Sequence, residues 1–461
     1  MNSGISISGN SKLAGYSSVM GSIDVGSSIS VLADTRISSL LSVTAEVYAG
    51  SGLTVYDHVR LRNSISTQRG LQVGQTAAVT GKSCLGSDLS VSGAVCIDAG
   101  IAACGSAGIY GSLTIDGDMY GYSRASVSGS LCGGSDARLT GSLAGEGTLD
   151  IIGAVTLGED FSLSGNARMG GSLSVVSIVS LQESLEVNGS MTGYESLGIE
   201  GSVSAGGSGY CAGSFNFNSK IYTGDCVSIG SGLSVQGITQ ISCDASLSDT
   251  LYLGDSLSVF HDARVGGDFS VKAGASIGSA LSSNNNLHVT GYFSVEGGLH
   301  TGVSGVVSFA GSSMFGNILS VADNVFARGH LSVSDASQIQ GDCSISGSAG
   351  IRGPVLVSNR LSIDGIVHAI GSLMVNHEIS TLGGVKVGSS LVVDEGVNIA
   401  GKSVFFDDSY FMNSVSITGS SAIAADGRIG RSLAIRVCLS RVQLQFPSLL
   451  GLGVWLALMQ S

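Results

Sequence analysis

The groups in this chain that could do chemistry are nine cysteines, seven histidines, scattered aspartates in glycine-rich segments and a regular series of serines. A zinc site needs closely spaced thiolate and imidazole ligands. No CxxC or comparable spacing occurs among Cys84, Cys96, Cys104, Cys132, Cys211, Cys226, Cys243, Cys343 and Cys438, so no metal is expected. Two thiol pairs have spacings that a coiled chain could superpose, Cys226 with Cys243 and Cys84 with Cys96. Either pair could bridge, with Cys226–Cys243 the candidate disulfide, and free thiols are the preferred reading for both. Histidine-based catalysis needs a second polar group within hydrogen-bond reach of the imidazole. His58, His261, His288, His300, His330, His368 and His377 stand singly, without a long loop beside them, and read as surface histidines. No catalytic or cofactor-binding residue is therefore assigned, and no cofactor. Asp88, Asp118, Asp136, Asp160, Asp225 and Asp268 invite calcium, but a calcium roll repeats its aspartates strictly and these do not. They read as turn caps.

The serines follow another logic. Ser234, Ser246, Ser258, Ser270, Ser282 and Ser294 recur at one constant interval and form the candidate surface ladder, a row of hydroxyls suited to ice or a polysaccharide. The same column holds only four threonines up to residue 300, Thr54, Thr114, Thr156 and Thr192, and is interrupted by Arg36, Arg60, Arg138 and Arg264. That composition argues against a dedicated ice-binding face. Tyr48, Tyr120, Tyr210, Tyr222 and Tyr252 share the column and could stack on sugars, though unevenly spaced.

The elements that must position these groups are six residues long. Each hexad reads apolar, polar, apolar and then three turn residues, as in Phe269-Ser270-Val271 followed by Lys272-Ala273-Gly274. The second apolar column, from Ile7 to Thr301, has 50 members, of which 42 are hydrophobic in a chain that is 43% hydrophobic. The polar column between the apolar pair, from Ser6 to His300, contains no Val, Ile, Leu, Met or Phe. Side chains alternate faces along a strand, so each three-residue strand sends two side chains inward and one outward. Such strands are stable only when successive coils stack in parallel. Glycine, at 70 residues, is expected in the turns because tight bends favour positive φ.

The fold class expected is all-β, a single parallel β-solenoid of six-residue strand-turn units. Turn types alternate from one hexad to the next, which favours two sides per coil. A two-sided coil is too thin for facing Leu and Phe pairs, which favours three sides. The triangular coil of about 18 residues is the expectation and the two-sided coil the alternative. The hexads divide the chain into a first solenoid segment at 1–301, a two-residue register slip or small loop within 302–318, a second segment at 319–436 and an apolar C-terminal cap or tail at 437–461.

The units Val265-Gly266-Gly267-Asp268-Phe269-Ser270 and Val387-Gly388-Ser389-Ser390-Leu391-Val392 resemble the hexapeptide repeat of left-handed β-helix proteins. The pattern is also similar to bactofilins, which form polymers from a triangular β-helix, and to Gly-Ser-Leu-Ser-Val repeat proteins of microalgae. The position that is small in hexapeptide proteins is often Leu or Phe here. The hexapeptide resemblance implies acyl transfer as one alternative, with a histidine placed between subunits. The bactofilin resemblance implies self-association.

The formal charge is −13 with no basic run, so nucleic acid is excluded as a partner. The opening MNSGISISGN has neither the basic nor the apolar region of a signal peptide. The compartment stays open, with an extracellular or cell-surface setting preferred. The first coil is expected to present open strand edges that recruit another chain. The tail from Leu449 to Met459 is too short for an ordinary membrane span, so a membrane is a partner only if that tail anchors the chain. Together these features predict a non-enzymatic, self-associating structural protein, with a surface binder of ice or glycan as the alternative.

Overall fold

The computed structural model describes residues 4–302, 306–417, 421–423, 427–429, 432–435 and 455–456. The chain divides into two units, Met1–Gly230 and Ser231–Ser461. Both are all-β, and both are built from strands of three residues joined by three-residue corners. In the first unit these run from Ile5–Ile7 to Val227–Ile229, and in the second from Leu233–Val235 to Ser432–Ile435.

Each strand pairs in parallel with the third strand after it in the chain. In the first unit Ile5 pairs with Ile23, Ile23 with Leu41 and Leu41 with Val59. In the second, Leu257 pairs with Ala275 and Ala275 with Phe293. Three strands therefore complete one coil, and each unit is a triangular solenoid walled by three parallel sheets. The two-sided alternative would pair each strand with the second one after it, and the register excludes that. The corners join the same ladder: the Gly278 N–H donates to the Val259 carbonyl at 2.8 Å, and the Leu257 N–H to the Gly274 carbonyl at 3.0 Å. Corner backbone groups are thereby satisfied by neighbouring coils as strand groups are.

In most described strands from Ile23–Val25 onward the first and third side chains are buried and the middle one faces outward, as in Val47–Ala49 and Leu251–Leu253. Where the sequence puts a hydroxyl at an inward position, the core keeps it. The oxygens of Ser83, Thr223, Thr239, Ser313, Ser337 and Ser403 are buried without a hydrogen-bond partner, each at a cost of about 1–3 kcal/mol.

Glycine serves a different purpose from the expected one. Neither Gly266 nor Gly278 has a left-handed φ. A side chain is excluded instead by the coil behind it: a Cβ on Gly278 would strike the carbonyl oxygen of Phe260, and one on Gly266 that of Ser248. In each case the obstruction is the backbone of the preceding coil at the equivalent position, so these glycines let consecutive corners stack at sheet spacing.

The two extra residues are confined to one corner. Leu287 pairs with Val307 and Leu299 with Leu319, each two positions beyond the regular step, which returns with Val307 and Val325. The insertion therefore lies between Thr301 and Val307, and the strands Val307–Phe309 and Ser313–Phe315 are already regular. The expected tail at 437–461 lies outside the described residues, apart from Trp455–Leu456, which pairs in parallel with Ala434 and Ile435.

Beside that corner the core is aromatic. Phe293 stacks on Phe309 with centroids 5.2 Å apart and meets Phe315 edge-on at 5.6 Å. Phe293 is fully buried, and its sheet neighbour is the small Ser313. Truncating Phe293 to Ala should remove the centre of this cluster and destabilise the fold around it by about 3–5 kcal/mol, read as a lower denaturation midpoint.

Candidate functional site

An outward column on a triangular coil advances by three hexads per layer, so a stride of two hexads visits all three faces in turn. The six ladder serines are dispersed accordingly. Ser234 and Ser270 share one sheet with Tyr252 between them, and Ser246 and Ser282 share another with Arg264 between them. Only Ser258 and Ser294 lie in a continuous row of serines, completed by Ser276. A longer flat row occurs in the first unit, where Ser90, Gly108, Ser126, Ala144, Ser162, Ser180 and Gly198 succeed one another on one sheet.

Of the six candidate aspartates, Asp88, Asp118, Asp136, Asp160 and Asp268 are inter-coil caps, whereas Asp225 accepts from the N–H of the adjacent Cys226. The residue just before a strand turns its side chain onto the N–H of its counterpart one coil later: Asp136 accepts from Ala154 at 2.8 Å, Asp244 from Asp262 at 3.1 Å and Asp262 from Ala280 at 3.0 Å. Asn166, Ser172 and Asp342 do the same. A serine hydroxyl adds a second bond at several corners. Donation from Ser51, Ser135, Ser177 and Ser279 holds the carboxyls of Asp34, Asp118, Asp160 and Asp262 below the usual carboxylate value, with backbone N–H donors adding to the effect. Hydrogen bonding to the ionised form is the physical cause.

Cys84, Cys96, Cys104 and Cys132 are exposed free thiols, and Cys211 and Cys343 are buried ones. Desolvation pushes Cys211 up to about 11 and Cys343 up to about 12, so both stay protonated and inert. Cys226 follows the strand Ile221–Thr223 in the first unit, and Cys243 follows Thr239–Ile241 in the second. They stand on opposite sides of the division between units, and their bridging remains an expectation. Cys438 lies outside the described residues.

Several histidines have local partners. His58 bonds the Thr76 hydroxyl at 2.6 Å, the His330 Nδ1 accepts the Ser348 N–H at 2.9 Å, and His377 meets Glu395 at 3.0 Å. Tyr48, Tyr120 and Tyr210 share one sheet of the first unit, successively four and five coils apart, too far for one sugar to bridge. A surface groove of about 690 Å³ in that unit is bordered by Cys84, Asp118 and Tyr120. An internal void lined by Ala103, Gly121 and Ala125 measures about 30 Å³, room for no more than a water.

The outward surface changes character in the second unit. After residue 301 the column admits Met314, Phe326, Leu356, Met374, Val392 and Val404. Three of these are stacked: Leu356 pairs with Met374 and Met374 with Val392, and Tyr410 follows on the next coil. Met374 is 44% exposed, and Ile370 at 55% and Phe406 at 50% extend the apolar surface onto the corner entering this sheet. Charge is graded along the stripe. Arg352 and Arg360 flank its early end and Asp394, Glu395 and Asp407 its late end, all five exposed, with Glu378 one coil after Arg360 and Lys386 over the ring of Phe406. The signal was available in the sequence as the point where the polar column stops excluding large apolar residues.

The depressed carboxyls give a pH dependence with a fixed sign. Their folded-state values lie below the unfolded value, so their stabilisation is complete above the unfolded value and is lost as pH falls through the folded one. The melting temperature should hold steady from about pH 7 to pH 5 and fall below about pH 4, and Asp262→Asn should flatten that fall. No protein-family model, no curated protein and no solved structure matches the chain.

Proposed function

We propose that the chain is a structural repeat protein that self-associates into a filament or matrix and has no catalytic role. The observation that carries this reading is the uninterrupted coil-to-coil pairing within each unit, which commits strands and corners alike to stacking. Polymer-forming β-helices, which the hexad resembles, use a comparable architecture for assembly. The apolar stripe, with Met374, Ile370 and Phe406 exposed and Leu356, Val392 and Tyr410 half-buried, supports association, because contiguous apolar patches on soluble proteins mark contact surfaces.

A second reading is favoured by the flat Ser, Gly and Ala row from Ser90 to Gly198, since a face without protruding side chains fits a repetitive surface such as ice or polysaccharide. Negative-stain electron microscopy and light scattering over a wide concentration series should show assemblies growing with concentration. Monomers throughout would overturn the structural reading. Ice-recrystallisation and polysaccharide-binding assays that both stay blank would remove the second.

A further inference from the structure

Resting on the self-associating reading, we propose that the apolar stripe from Leu356 to Tyr410 binds a second copy of this chain, face to face, with the two solenoid axes antiparallel.

Size comes first. Four coils at ~4.8 Å and a strand with its corners at ~20 Å across give a face of roughly 400 Å² per copy. That is about half the ~800 Å² per partner of a standard stable interface. The pairing is therefore reversible and concentration-dependent.

Orientation follows from shape and charge. A two-fold axis in the contact plane, parallel to the strands and level with the gap between Met374 and Val392, reverses the order of coils in the second copy. Leu356 then faces Tyr410 of the second copy, and Met374 faces Val392. On the entering corner Ile370 lies over Gly388, a bulky residue against one without a side chain. Arg352 lies over the corner holding Phe406 and Asp407, where a guanidinium finds the Asp407 carboxylate beside a ring whose face Lys386 of the same chain already covers at 5.5 Å. On the other corner Arg360 comes within one coil of Asp394.

The parallel arrangement has the opposite outcome. A two-fold axis along the solenoid reverses the strands and keeps the coils level, so the corner with Arg352 meets the corner with Arg360 and like charges oppose. The charge gradient along the stripe thus selects the antiparallel form, since like-charge juxtaposition disfavours a wrong alignment.

Sedimentation equilibrium of the full chain tests this. In the wild type this pairing should be the first, dimer-forming step of a concentration-dependent association, and M374S/V392S, which installs the residue commonest in this column, should weaken that step by roughly tenfold or more at unchanged melting temperature. R352E/R360E and D394K/D407K should each lose this step alone and should recover it as a heterodimer when mixed, because each reversed set then meets its opposite. Association that survives M374S/V392S undiminished, or a mixture that forms no heterodimer, overturns this surface and leaves the structural reading standing if assemblies persist. A wild type monomeric at every concentration, whether its stripe is bare or covered by its own chain, overturns both.

Discussion

Backbone hydrogen bonding between equivalent positions of successive coils is the constraint from which the rest of the structure follows. A three-residue strand has too few contacts to persist alone, so its amides and carbonyls must be met by the coils on either side. Pairing in parallel at one fixed translation aligns identical positions, and identical positions then share an environment. Apolar residues stack on apolar residues inside, as in Val55 over Val73 over Val91, and exposed residues stack outside. The corners obey the same translation, which is why a carboxylate before one strand meets the amide before the strand directly above, and why glycine appears where a carbonyl of the previous coil occupies the place of a side chain.

The local architecture was legible because it is written twice, in a column that is nearly all apolar and a neighbouring one that excludes such residues. The number of sides was harder to read. Alternating corner types suggested a coil of two hexads, yet the bulk of residues such as Phe269 and Phe293 required a wider interior, and packing decided the matter. The serine row failed for the same reason: Ser234, Ser246 and Ser258 look like one ladder only if every second hexad lies on the same face. Glycine was expected for its backbone freedom, whereas Gly278 is needed because Phe260 lies against it. That contact joins residues on successive coils, and local turn propensity contains no information about it.

The apolar stripe was equally present in the sequence, and its exposure depended on knowing the stride. Leu356, Met374, Val392 and Tyr410 are separated by two other outward residues each time, among them Ser362, His368 and Ser380, so along the chain they look dispersed. Folding at three hexads per coil gathers them and sorts the corner charges into a basic end and an acidic end. The surface consequently has a direction, which a uniform hydroxyl face would lack.

The corner between Thr301 and Val307 shows how such a chain changes length without losing its fold. Two added residues there alter the pairing offset once, and the coils on either side keep their inward and outward sets. A single residue added inside a strand would exchange those sets for the remainder of that strand. Length can therefore enter such a fold at a corner while the stacked scaffold stays intact.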